Sequence, residues 1–265
     1  GSTATLVPMS LTDFAAIDRL GGAIHERWGK LDILIGNAGI AALARVSRIG
    51  EPLNSFHLSF VLGPRINAGG RIGDAALGSR LLACDDPAEA RGIAETLDRL
   101  NQERQAMEQA MLAAARAEAD AELAAEPGPA VIVTASDDWH AGIVGLIAAR
   151  LKEHARRPAF AIAFNANGTG SGSGRSIAGF DLGRMVREAV ARGLLVKGGG
   201  HAMAAGITVE REKLGALRAF FEEWAAGDVS RLRNEETLEI DAALSADGAS
   251  FDLLDTLESA GPYGA

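Results

Sequence analysis

Two residue types are nearly missing from this 265-residue chain, which has one cysteine and one tyrosine and only 5% aromatic residues. The single cysteine, Cys84, cannot close an internal disulfide. It reads as a small buried residue rather than a nucleophile, and a lone thiol fits a reducing cytosol, so the expected location is cytoplasmic. No stretch reaches about 18 consecutive apolar residues, so the pattern offers no membrane span. The opening residues show no secretory pattern either. Positive charge is also short: 26 Lys and Arg face 35 Asp and Glu, a net charge of −9. Taken whole, that balance argues against a nucleic-acid binder.

What is present points elsewhere. Hydrophobic residues make up 48% of the chain, enough for a sizeable core. The charge is unevenly spread. From Trp139 to Gly200 there are nine Lys or Arg and three Asp or Glu, a net +6. A basic stretch on an acidic protein is a usable anion footprint, although solvated surface charges give the same count.

Periodicity divides the chain. Phe14, Ile17, Leu20, Ile24 and Trp28 repeat at helical spacing after Thr12 and predict a helix over 12–29. Leu31–Ile35 reads as a buried strand, ended by Gly36-Asn37-Ala38-Gly39. Residues 41–85 read as short helices around a loop, Gly63–Arg71. Pro87 suits the first turn of a helix running to about Ala125, with Ile93, Leu97, Leu100, Met107 and Met111 as its apolar stripe. Glu126-Pro127-Gly128-Pro129 stops it. The order is then strand 130–135, helix 141–154, strand 159–164, a glycine-rich segment, helix 182–191, strand 203–209 and helix 213–224. A possible strand follows at 237–243, and a helix at 251–259. Such alternation predicts an α/β fold with a mixed or largely parallel sheet flanked by helices, preceded by the long helix and a short helix-strand segment.

Three clusters in the α/β part concentrate polar residues and glycine. Ser136-Asp137-Asp138-Trp139-His140 lies between a strand end and a helix start, at the sheet edge where ligands commonly bind. Helix N-termini there favour phosphate; the adjacent Asp pair does not, unless a metal intervenes. Gly168-Thr169-Gly170-Ser171-Gly172-Ser173-Gly174-Arg175-Ser176 offers close backbone approach to an anion, hydroxyl donors and one guanidinium fork. Composition alone leaves a flexible loop equally open, and the spacing is neither a P-loop nor a dinucleotide fingerprint. Lys197-Gly198-Gly199-Gly200-His201, followed by Ala202-Met203-Ala204-Ala205-Gly206, implies tight backbone contact around His201. Chemistry alone leaves both a ligand role and a structural role open for that histidine.

Five ordered segments resemble RecJ-type exonucleases. Phe60-Val61-Leu62-Gly63-Pro64-Arg65-Ile66-Asn67-Ala68-Gly69-Gly70-Arg71 resembles the loop that closes their catalytic region, and Leu100–Gln105 resembles the strut helix after it. Trp139-His140 with Gly142, Gly172–Ser176, and Gly198–Ala202 with Ala205-Gly206 resemble three motifs of the family's DHH-associated domain. Gly261-Pro262-Tyr263-Gly264 resembles the lead-in to its OB-fold. The resemblance implies a lobe that holds single-stranded nucleic acid and its 5′ phosphate, a role carried to Arg65, His140, Ser173, Arg175 and His201. It departs from the family in two ways: the chain contains no Asp-His-His triplet, and Ala141 stands where the family usually has proline. Without that two-metal region the charge neutralisation needed for phosphodiester cleavage is missing. Residues 10–39 resemble instead the middle of a short-chain dehydrogenase, with the Asn37-Ala38-Gly39 turn after a strand. Ser10 replaces the usual Asp, and the catalytic Tyr-x-x-x-Lys is absent.

The expected organisation is a dehydrogenase-like fragment over 1–40, RecJ-like short helices and loop over 41–86, a connecting helix over 87–126, a DHH-associated domain over 127–228, and the start of an OB-fold region over 229–265. The expected function is binding of single-stranded nucleic acid or nucleotide phosphate, without competent exonuclease or dehydrogenase activity. The contacts expected are Arg65, Ser173, Gly174, Arg175, Ser176, Lys197, Gly199, Gly200 and His201. The alternative is weak phosphoester hydrolysis through His140, His201 and Asp138, with Mn, Mg or Zn on Asp137, Asp138, His140 and His201. An inert folded fragment is the third reading. Orphaned surface, above all in residues 11–40, leads to an expected homodimer.

Overall fold

The computed structural model describes residues 38–50, 53–125, 128–234 and 243–260, together with Arg19 and Ala23, both helical. The rest of the 12–29 helix, the 31–35 strand, residues 237–242 of the possible strand at 237–243, and Gly261–Gly264 lie outside them. The chain divides into two compact units, Gly1–Gln102 with Asp241–Ala265, and Glu103–Ile240.

The first unit is helical where described. It holds α1 (Ala38–Val46), a π-helical turn (His57–Leu62), α2 (Gly63–Ile72), α3 (Ala76–Leu82) and the first part of α4 (Pro87–Leu123). Leu43, Leu53, Leu62, Leu81, Ile93 and Leu97 share its core. Two expectations change here. Ala38-Gly39 is the start of α1, not a turn after a strand: a Cβ on Gly39 would lie 2.2 Å from the Leu81 carbonyl oxygen, so this glycine lets two helices touch. Gly63–Arg71 is helix, not loop. A Cβ on Gly69 would meet the Asp74 carbonyl at 2.7 Å, and one on Gly78 would meet the Ile66 side chain at 2.9 Å. Glycines that read as loop formers serve close helix packing. Before α4, Asp86 accepts the Ala88 N–H through Oδ1 at 2.8 Å, satisfying one of the donors a helix start leaves open. A terminal helix, Phe251–Ala260, also falls within this unit.

The second unit is α/β. Its strands are β1 (Ile132–Ser136), β2 (Ala159–Phe164), β3 (Thr169–Arg175), β4 (Lys197–Gly200) and β5 (Ala204–Glu210). They form one sheet in the order β1-β2-β3-β5-β4. Only β1 and β2 are parallel; the other three pairings are antiparallel, so the sheet is mixed. The parallel pair requires a crossover, supplied by α5 (Val144–Ala155). α6 (Leu182–Ala191) begins at Asp181, whose side chain accepts the Arg184 N–H, and α7 (Leu214–Asn234) follows β5. These two helices bury Leu182, Met185, Val186, Leu217, Phe221 and Val229 with Phe160, Ile162, Phe164 and Ile207 of the sheet. α5 packs on β1, β2 and β3. The glycine-rich segment, for which composition left a flexible loop open, is β3 itself, and Lys197–Gly200 is a strand.

The outer edge of β1 is closed by side chains. Arg218 of α7 donates to the Val133 carbonyl at 2.6 Å, and Glu118 of α4 accepts the Ala135 N–H at 3.4 Å. Glu222 accepts the Ala130 N–H at 2.6 Å just before the strand. Arg218 also reaches Glu118 at 2.8 Å and Glu122 at 3.2 Å. Burial pushes the Glu122 carboxyl above its ordinary pKa; Arg218 pulls the other way and Glu118 adds to the rise.

Candidate nucleic-acid interface

Alternation along a strand sends successive residues to opposite faces. In β3 it sorts the segment cleanly. Gly170, Gly172 and Gly174 face the side filled by bulky residues: a Cβ on Gly174 would sit 2.4 Å from the Phe160 ring, and one on Gly172 would sit 2.7 Å from Ile207. Thr169, Ser171, Ser173 and Arg175 face the other way. Arg175 Nη1 donates to Ser173 Oγ at 2.8 Å and to the Gly174 carbonyl at 2.9 Å. The first turn of α5 lies over this pair, since a Cβ on Gly145 would come within 3.2 Å of Arg175 Nη2 and 3.3 Å of Ser173 Oγ. No side chain caps that helix start, so its N-terminal dipole end is set beside a guanidinium and a hydroxyl. Such an arrangement attracts anions.

The register carries this face across the sheet. Ser173 lies opposite Gly206, which lies opposite Gly199, and Ser171 lies opposite Thr208, which lies opposite Lys197. Arg175 lies opposite Ala204, and His201 donates its N–H to the Ala204 carbonyl at 2.8 Å, extending that row. Gly199 and Gly206 are both exposed, and a Cβ on either would meet nothing within 4 Å. Packing does not account for glycine there. The result is an open face with hydroxyls and cations at its sides and bare backbone at its floor.

The turn from β4 to β5 is held rigid. The His201 carbonyl accepts from Gly183 N at 3.1 Å, the Ala202 carbonyl from Leu182 N at 3.0 Å and the Met203 carbonyl from Ser176 N at 3.0 Å. The first N–H groups of α6 are thus spent on this turn, while the His201 side chain stays exposed.

Residues 128–227 match the DHHA1 domain. Homology to RecJ covers more than that domain. The whole chain aligns with the single-stranded-DNA-specific exonuclease RecJ of Salmonella typhimurium, 38% identical over 272 residues, and with that of Escherichia coli, 38% identical over 276. The chain spans 45% of the length of each of these relatives. Among solved structures, RecJ from Thermus thermophilus in complex with Mg2+ superposes with a TM-score of 0.62 at 34% identity, over 72% of this chain and 28% of that one. An exonuclease RecJ bound to manganese gives 0.61 at 34%, over 73% of this chain and 47% of that one. The alignments to the enterobacterial proteins take in residues 1–40. The homology of that segment is therefore to RecJ, which corrects its assignment to a dehydrogenase fragment.

Within the DHHA1 unit the expected contact residues separate. Ser173, Arg175, Lys197, Gly199 and His201 come onto one sheet face. Gly174, Ser176 and Gly200 do not. Gly174 lies under Phe160 on the far side, Ser176 is buried and donates to the Phe180 carbonyl at 2.8 Å, and a Cβ on Gly200 would collide with the Ala204 carbonyl at 2.2 Å. Arg65 belongs to the other unit, where its Nε donates to Asp98 at 2.7 Å and its Nη1 to the Val61 carbonyl at 2.8 Å. Ser171 and Thr208 join the face through the strand register and Gly145 through the packing of α5 on β3, none of them among the expected contacts; the period-two alternation of Gly and Ser was the available signal for Ser171.

The expected metal ligands are not gathered. Among the described residues no three His, Cys, Asp or Glu side chains are placed to hold an ion. Asp137 pairs with Arg211, whose guanidinium lies over the Phe164 ring at 4.3 Å. His140 Nδ1 accepts the Gly142 N–H at 3.1 Å, and the Asp138 N–H donates to Ser136 Oγ at 3.1 Å. These bonds shape the loop before α5 and delay that helix to Val144, three residues later than its periodicity suggests. Among the described residues, Asp137, Asp138, His140 and His201 therefore do not fit a divalent-metal centre. No described helix is long and apolar enough to cross a membrane.

Proposed function

We propose that this chain binds single-stranded nucleic acid through its phosphates, on the sheet face that carries Ser173, Arg175, Lys197, Gly199 and His201. The observation that carries this reading is the unpacked Gly199–Gly206 pair beside the Ser173–Arg175 pair. Glycine there leaves room for a ligand backbone. Arg175 supplies a forked donor of the kind that grips phosphate, and the uncapped start of α5 adds a positive dipole end. The RecJ relatives are named for single-stranded DNA, which selects the strand type. In binding, Arg175 would exchange part of its hydrogen bonding to Ser173 and Gly174 for a phosphate oxygen, while His201 and Lys197 line the path of the next phosphates.

The alternative, metal-assisted phosphoester hydrolysis on Asp137, Asp138, His140 and His201, has no observation in its favour, and no cleavage step is assigned. The test is anisotropy titration of the 265-residue protein with a 5′-phosphorylated oligonucleotide. Binding that Arg175→Ala weakens supports the reading. Binding unchanged in that variant removes Arg175 from the interface.

A further inference from the structure

The first unit shows a feature that the phosphate face does not use. In a chain with only 5% aromatic residues, Phe56 and Phe60 are 59% and 55% exposed. Their ring centroids lie 5.2 Å apart with planes tilted by 32°, and His57 meets Phe56 edge-on at 6.0 Å and 72°. The backbone beneath them is fixed before any ligand arrives. Asn54 Oδ1 accepts the His57 N–H at 3.0 Å, and the Asn54 N–H donates back to His57 Nδ1 at 3.3 Å. That reciprocal pair follows the logic of a capping box. The chain then enters the π-helical turn, where Gly63 N donates to the Leu58 carbonyl five residues back. Wide turns of this kind recur at functional sites.

The surrounding sequence is predominantly basic. Residues 38–72 contain Arg45, Arg48, Arg65 and Arg71 against a single acid, Glu51. Arg65 is paired with Asp98, but the balance of the segment is basic. Exposed rings set in basic sequence match the chemistry of unpaired nucleobases, which offer flat π faces above a polyanionic backbone.

We propose that Phe56 and Phe60 form a base-stacking platform for single-stranded nucleic acid. This rests on the reading that the chain binds such strands, and it adds a base-reading contact to a phosphate contact. Stacking of this kind tolerates any base, because every base has a π face.

The test compares two 5′-phosphorylated probes of about 16 nucleotides, an oligothymidylate and an abasic strand of equal length, titrated by anisotropy against the full chain. Wild-type protein is expected to prefer the base-bearing strand by about tenfold or more. F56A/F60A is expected to lose that preference while still binding the abasic strand. F56L/F60L, apolar without a π face, is expected to behave as the alanine variant does, and it carries the test if the alanine variant misfolds by circular dichroism. Phe60→Trp is expected to keep the preference. A leucine variant that retains the full preference overturns the proposal and marks the face as an apolar docking surface for another protein. Equal binding of both strands by the wild type also overturns it, while leaving the phosphate reading intact. If neither strand binds, the phosphate reading fails and the platform falls with it.

Discussion

Gly174 and Gly199 are chemically identical and structurally opposite. Gly174 is required by what touches it: a methyl group there would drive into the Phe160 ring, itself stacked on Phe221 with centroids 4.8 Å apart. Gly174→Ala should cost roughly 1–3 kcal/mol, the usual range for overpacking a core, read as a lower midpoint in urea. Gly199→Ala meets no neighbour. Its unfolding midpoint should stay put or rise slightly, because alanine narrows the unfolded ensemble, while its affinity for single-stranded DNA should fall. Arg175→Ala should weaken that binding by roughly 1–3 kcal/mol, the worth of a hydrogen bond to a charged group. The sequence named Arg175, Ser173, Lys197 and His201 because charge and hydroxyl chemistry are visible in residue type. It could not separate Gly199 from Gly174 or Gly200, since that distinction depends on which side of a pleated strand each one faces and what lies there.

At the scale of elements, the C-terminal half of α4 is a clasp on the edge of β1, made by Glu118 and Glu122 through Arg218. Glu122 holds its proton more tightly in the fold than its ordinary pKa of 4.5 implies, chiefly because burial disfavours its charge. A raised carboxyl pKa means the folded state binds more protons than the unfolded chain. Its contribution is therefore fully present below the ordinary value and is lost as pH rises through the folded one. Glu122→Gln removes this dependence. The melting temperature of the variant, relative to wild type, should be higher at pH 7 than at pH 4; a difference that is flat across that range would contradict the assigned cause. Helix α4 was legible from Pro87 onward, and α6 and β2 were legible too, because Pro87 suits a helix start and the apolar patterning of all three is clear. β3 was not, because its inward positions are glycines and carry no hydrophobic signal; the core side chains come from Phe160, Ile162, Phe164 and Ile207 instead. The α2 segment failed for a related reason: Gly63, Gly69 and Gly70 look like loop, and only helix packing explains Gly69.

For the molecule as a whole, an overall charge of −9 is compatible with the proposed phosphate binding because the stretch from Trp139 to Gly200 is basic. Binding should therefore be strongly salt-dependent, weakening steeply between about 50 and 200 mM salt as displaced counterions lose their entropic advantage. A salt-independent affinity would exclude phosphate as the main contact. The 265-residue chain, which has no Asp-His-His triplet, should release no mononucleotides from 5′-phosphorylated single-stranded DNA with manganese; stepwise release by a chromatographically pure sample would refute this. Light scattering tests the proposed homodimer, and a monodisperse monomer would exclude it. The closed edge of β1 has a last implication. An uncovered strand edge is a template on which further chains can pair. One of the groups that block this one, Glu118, comes from before residue 128, where the match to the DHHA1 domain begins, whereas Arg218 and Glu222 come from within it. The matched domain thus carries only part of the cover on its own sheet edge, and Glu118 supplies the rest. A fragment cut at Gly128 should grow thioflavin-positive fibres under conditions in which one begun at Glu103 stays clear.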